Sequence, residues 1–247
     1  MDDSHDSGAN YLELADWRRR VAQLYVEVRN LQKIYGPFSP SAAHDQWRAV
    51  REQLYREHPQ SPVPPAERAG FAARHFPYDP ALRFTLALVP DASTDASTDA
   101  STDASTDAST SAPPGGAGGG VPGGPDARVP TSGGGAMGVR RIGSLDVPFP
   151  AGQRRLALYW LEGYAGGVYL PFRDGTNGAE TYGGGRYLLD AAKGADLGGD
   201  PVSGVVVLDF NFAYHPSCAF DPRYICPLAP PENALDIRVE AGEQLTQ

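Results

Sequence analysis

The second half of the chain does most to limit the fold. From residue 145 onward, "LDVPF", "RLALYWLE", "GGVYLPFRD", "SGVVVLDFNFAY" and "ALDIRVEAGE" are short alternating or apolar runs separated by turn residues. None of the connections holds a helix long enough for a crossover, which parallel strands require, so these strands pair antiparallel. A further strand precedes them. After the turn "FPYDP", the run "RFTLALV" sets Phe84, Leu86 and Leu88 against Arg83, Thr85 and Ala87, the alternation of a half-buried strand.

The N-terminal part has a different period. Leu14, Trp17, Val21, Leu24, Val28 and Leu31 recur at spacings of three and four, which predicts an amphipathic helix ended by Gly36-Pro37. A second helix follows Ser41, buries Trp47, Val50 and Leu54, and stops before Pro59; a third, short one starts near Pro65 and carries Phe71. Helices therefore fall within 10–75 and strands within 83–89 and 139–245. Residues 91–110 repeat "DAST", and 111–136 are mostly Gly, Pro, Ser and Ala. Such side chains bury too little apolar area to offset the ordering of the backbone, so 90–136 is expected to be a disordered, low-complexity insertion. The helices and the strand before it need the strands after it as a packing surface, which argues for one domain interrupted rather than two. Lengthening a loop this way costs only about 2 kcal/mol. The expected fold is mainly β within the α+β class: an antiparallel curved sheet, sandwich or small barrel with two to three N-terminal helices packed on it.

A formal net charge of -9, with no polybasic patch, argues against nucleic acid and anionic membranes as partners. The opening "MDDSHDSGANYLELADW" lacks the cationic and apolar regions of a secretory signal, and no apolar run is long enough to span a bilayer, so a cytoplasmic location is expected.

Polar chemistry gathers in two stretches. "FRDGTNGAETYGGGRYLLD", residues 172–190, is glycine-rich but matches neither the Walker nor the dinucleotide fingerprint. Its Gly183, Gly184 and Gly185 supply positive φ or close backbone approach instead. Alternation puts Asp174 at the end of the row Val168, Leu170, Phe172, with Arg173 on the opposite side. In "VVVLDFNFAY", Asp209 and Asn211 share a face with Val205 and Val207, and a carboxylate buried in that setting needs a partner. Arg173 and Arg186 are the expected partners, with Tyr182 and Tyr187 as further donors. Two readings stay open: an internal salt-bridge network that pins loops to the sheet, and a pocket where Arg binds an anionic small molecule while Glu180 or Asp209 acts as acid or base.

The second stretch is "YHPSCAFDPRYICPLAPPEN". His215, Cys218 and Cys226 are three local donors, one short of a zinc shell and without a close Cys-x-x-Cys pair. No cofactor is expected on this basis; zinc, a disulfide and a Cys–His nucleophile pair remain alternatives to two plain buried thiols. Glu232 and Asn233 close the same stretch and join the candidate ligand contacts.

"LPFRDGTNGAETYGGGRYLLD" and "LDFNFAYHPSCAFDPRYICPLAPPENAL", with "WRRR", "SPVPPAERAGF" and "HFPYDPALRF" before them, resemble the bacterial and archaeal domain-of-unknown-function family 1684. The resemblance implies a single domain and marks the "DAST" tract as extra material, but implies no activity. His215 stands where the family pattern has Asn, and Ala234 where an Arg follows "EN". These departures weaken a ligand role for His215 and an anion site resting on an Arg at 234. The functional expectation is a small-molecule-binding protein or an enzyme of hydrolytic or acid/base type, against a noncatalytic scaffold or interaction protein.

Overall fold

A computed structural model describes residues 8–36, 38–91, 126–163 and 166–246. Two helices come first, α1 (Gly8–Tyr35) and α2 (Ala42–Glu57). Short strand β1 (Arg74–His75) and strand β2 (Arg83–Ala87) follow, then β3 (Asp126–Pro130), β4 (Ala136–Phe149), β5 (Gly152–Leu161), β6 (Gly167–Phe172), β7 (Arg186–Asp190), β8 (Gly199–Asp200), β9 (Val205–Asp209) and β10 (Glu243–Gln244). Among the described residues every strand pair is antiparallel. Five strands form a curled half-barrel in the order β3-β4-β5-β6-β7; β2-β9-β8 and β1-β10 are smaller sheets. The fold is thus mainly β within α+β, as the run of turns and short strands predicts.

Both faces of the half-barrel are covered. Leu156 and Leu158 of β5 join Leu145, Leu170, Phe172, Leu188, Leu208 and Phe210 in one apolar core. Ala157 and Tyr159, which alternate with them, join Leu24 and Val28 of α1, Trp47 of α2 and Phe212 in a second. The helical stripe is buried for that reason: Leu24, Tyr25 and Val28 lie inside the fold, and Val21 and Leu31 flank them. Curling is set in β4, where the pairing with β5 slips between Arg141 and Gly143. Gly143 has φ +150°, and a Cβ there would sit 2.5 Å from the carbonyl oxygen of Val89, whose backbone bridges Ser144.

The structure departs from expectation at five places. Residues 126–130, inside the stretch read as low-complexity, form β3 along β4 with Val129 buried; the single valine gives no alternation to read. The rest of that stretch, 92–125, lies outside the described residues. "RYLLD" forms β7, buried on both faces, so it lacks the period of two that marks a half-covered strand. "ALDIRVEAG" is not a strand, because its polar backbone groups are taken by side chains and by the loop after β6. Finally, β9 ends at Asp209 and turns into a 3-10 turn at Phe210–Phe212, and the helix expected near Pro65 is a 3-10 turn at Arg68–Gly70. No helix among the described residues is long and apolar enough to cross a membrane.

Candidate functional site

The charged side chains divide into two separate centres. In the first, Arg186 enters from β7 and is fully buried. Its Nη2 donates to Asp174 Oδ1 at 3.2 Å and to the Val239 carbonyl at 2.9 Å, and its Nη1 donates to the Ala241 carbonyl. Asp174 also accepts the Val239 N–H at 2.7 Å and the Thr176 hydroxyl at 2.9 Å. Burial draws the Arg186 pKa down and the Asp174 charge opposes it. The pair staples the 173–185 loop and the 234–242 segment to β7. Gly185 makes the entry possible: it has φ +97°, and a Cβ would lie 2.6 Å from the Phe172 carbonyl oxygen.

A second buried ion pair lies along the same segment. Arg51 of α2 donates to Glu243, which also accepts the His215 N–H at 2.8 Å. Burial pushes the Glu243 carboxyl up, but Arg51, with His215 and His75, more than reverses this and leaves it at about 2. His215 Nε2 accepts the Tyr182 N–H at 3.2 Å, and burial lowers the ring to about 4. That ring is neutral at pH 7 and holds the glycine-rich loop.

Asp209 belongs to the second centre. Neither Arg173 nor Arg186 is its partner: Arg83 lies opposite it across the β2–β9 pair, with Nε 3.8 Å from Oδ2. Oδ1 is fully engaged, accepting the Asn211 N–H at 3.1 Å and its Nδ2 at 2.8 Å. Oδ2 has only long contacts, to Arg83 and, at 3.5 Å, to Gln32 Nε2 of α1. Burial raises the carboxyl to about 6, with the Asn211 bonds and Arg83 pulling the other way.

Gln32 and Arg83 also form the floor of a surface cleft. On one side they line a cavity of about 270 Å³ with Gly36, Pro40 and Tyr78. On the other they line a hollow of about 630 Å³ that includes Arg29, Lys33, Thr85 and Asp200. Burial, with the nearby Asp209 charge, pushes the Tyr78 phenol up to about 12, so it stays a donor. The cleft therefore combines three cations, offset in part by Asp200, with a phenol and an amide, next to a buried carboxyl raised towards neutrality.

The other sequence candidates are dispersed. Arg173 is exposed, and its backbone bridges Ala234. Glu180 pairs with Arg238 at 2.5 Å on the surface. Glu232 accepts the Tyr159 hydroxyl at 2.6 Å. Asn233, fully buried, joins the Ala157 backbone to the Pro171 carbonyl. Asn211 holds the Asp79 backbone from both sides as well as Asp209. Tyr182 lies against Cys218, with Sγ 3.7 Å from its hydroxyl, and both cysteines are free thiols. Among the described residues no three His, Cys, Asp or Glu side chains are placed to share a metal ion. Sequence reasoning missed Gln32, Tyr78 and Arg83. Arg83 carried a signal: it begins the alternating strand, and reversing "RFTLA" against "VVVLD" sets it opposite Asp209.

No curated protein matches the chain. Among solved structures, the solution NMR structure of an uncharacterized protein from gene locus rrnAC0354 of Haloarcula marismortui is similar, with 24% identity and a TM-score of 0.53 over 87% of this chain and 97% of that one. This likeness extends the fold, not a function. The model of the family described as "Protein of unknown function (DUF1684)" matches residues 121–244, which take in β3 to β10 and Asp209. The chain belongs to that family.

Proposed function

We propose that the protein binds a small anionic molecule in the cleft between α1 and the β2–β9 pair, with Arg83 as the anion contact and Asp209, buried behind it, as the group that takes up a proton on binding. The observation that carries this reading is the state of Asp209 Oδ2. It is fully buried, poorly hydrogen-bonded, and faces the two residues that floor the cleft. Perturbed carboxyls beside clefts are where proton-linked binding and acid/base chemistry are found. An anion that engages Arg83 weakens the cation 3.8 Å from Oδ2 and favours protonation of Asp209. Binding is therefore linked to proton uptake and weakens by up to about tenfold per pH unit as pH rises from 6 towards the higher pKa of the bound state.

Sulfate and methanesulfonate are suitable first probes because their charge does not change between pH 5 and 8. Melting would be followed at low millimolar concentrations against chloride of equal ionic strength. The reading expects a rise in melting temperature that is larger at pH 5 than at pH 8 and is lost in Arg83→Gln. A rise that Arg83→Gln leaves intact, or none at either pH with these probes and a panel of small carboxylates, contradicts it. A different reading suits the Asp174–Arg186 and Arg51–Glu243 pairs. Their charged groups are paired inside the fold and support a scaffold role that holds loops in place.

A further inference from the structure

Cys218 and Cys226 share one enclosed site, independent of the Asp209 cleft. Cys218 is in the 3-10 turn Ser217–Ala219, Cys226 lies eight residues on, and both are nearly inaccessible, at 8% and 4% exposure. Each side chain is the strongest influence on the other's ionisation, which makes the two sulfurs near neighbours. Ser132 fixes the geometry: its N–H donates to the Cys226 carbonyl at 2.9 Å, its hydroxyl accepts the Cys226 N–H at 3.0 Å, and it also contacts the Cys218 side chain. Tyr182 closes the other side, with its hydroxyl 3.7 Å from Cys218 Sγ. Ser132 itself is exposed, so the site is one residue from solvent.

The two sulfurs are not equivalent. Cys218 is lowered by the Cys226 thiol, Ser132 and Tyr182, all aimed at its sulfur, against the opposing effect of burial. Cys226 is raised by Cys218 and by burial, so it keeps the proton. Tyr182 is pushed up to about 12, first by burial and then by the Cys218 sulfur, and keeps its proton beside it.

We propose that Cys218 and Cys226 are a thiol–disulfide pair oxidised by small hydroperoxides, in which Cys218 attacks and Cys226 resolves. The Cys218 thiolate attacks the terminal peroxide oxygen; an S–O bond forms, the O–O bond breaks, and the alkoxide leaves as an alcohol after taking a proton. The Cys226 sulfur then attacks Cys218, forming S–S and breaking S–O; the hydroxide departs with the Cys226 proton as water. Two thiols and one hydroperoxide give a disulfide, an alcohol and water, the two electrons passing from sulfur to the peroxide. The disulfide removes the thiolate that Tyr182 contacts, and the backbone of that tyrosine is held by His215. Oxidation thus acts on the glycine-rich loop.

Arg223 lies between the cysteines, so trypsin separates them into two peptides that stay joined only through a disulfide. The full chain would be treated with hydrogen peroxide, blocked with N-ethylmaleimide in denaturant, digested and weighed. The proposal expects the linked pair, a chain lighter by two hydrogens, and reversal by dithiothreitol. In Cys226→Ser, dimedone should label Cys218. In Cys218→Ser, oxidation at Cys226 should be about tenfold or more slower than oxidation of Cys218 in the parent. Circular dichroism would confirm that each variant is folded. Tyr182→Phe, which keeps both thiols, should slow the reaction several-fold and covers the case in which a cysteine variant fails to fold. Oxidation without the linked peptide, disulfides only between chains, or equal rates for the two cysteines would overturn the assignment.

Discussion

Replacing Asp209 with Asn tests the electrostatics of the cleft through stability alone, with no ligand needed. The carboxyl is raised from its ordinary 3.8 to about 6 by burial. A group whose native pKa is raised binds more protons folded than unfolded, so the native state loses stability as pH climbs through that window. The full cost is present above pH 6 and absent below about 4. A difference of ~2 units at ~1.4 kcal/mol each gives roughly 3 kcal/mol. Asn cannot ionise and escapes this cost, but its amide would point a donor at Gln32 and Arg83, a loss of about 1 kcal/mol. The expected result is a variant slightly less stable than the parent at pH 4 and about 2 kcal/mol more stable at pH 7, with the crossover near pH 5. Urea unfolding from pH 4 to 8, with both proteins in the same buffers, reads the difference. A difference that is flat with pH, or that runs the other way, would refute the claim that Asp209 is held in a poorly solvated site.

Other predictions follow from the same structure. Burial lowers His44 to about 3, and both its ring nitrogens lack hydrogen-bond partners, so its share of stability is lost as pH falls from 6.5. His44→Phe should therefore reduce the fall in unfolding free energy between pH 7 and pH 5 by about 2 kcal/mol, as measured by urea titration; an unchanged fall contradicts it. Arg186→Met leaves the Asp174 charge buried and unpaired and should cost about 3–5 kcal/mol, part of it recovered by adding Asp174→Asn. Gly185→Ala combines a left-handed φ with a clash against the Phe172 carbonyl and should lower stability by about 2 kcal/mol or more in thermal melts.

The parts of this molecule that can be read from sequence are those whose signal is local. The α1 stripe from Leu14 to Leu31 points at a core because spacing alone sets its direction, and it packs against Tyr159 and Phe212. The burial of Asp209 is visible in "VVVLD" for the same reason. Its partner is not, since Arg83 is distant in the chain and becomes a neighbour only through the β2–β9 register. Arg186 was expected to reach Asp209, yet β7 is itself a strand, and its register on β6 sets Arg186 opposite Phe172, close to Asp174. A strand buried on both faces offers no alternation to predict that. The 234–242 segment misleads in the opposite sense: its alternating residues are buried, but its backbone is held by Asp174 and Arg186 rather than by a neighbouring strand.

The most direct measurement is the titration of the Asp209 carboxyl by carbon-detected NMR, with and without sulfate. A midpoint near pH 6 that moves higher when sulfate is added, and no longer moves in Arg83→Gln, is the outcome predicted for a proton-linked anion cleft. A midpoint at or below 4, or one indifferent to the anion, would contradict it.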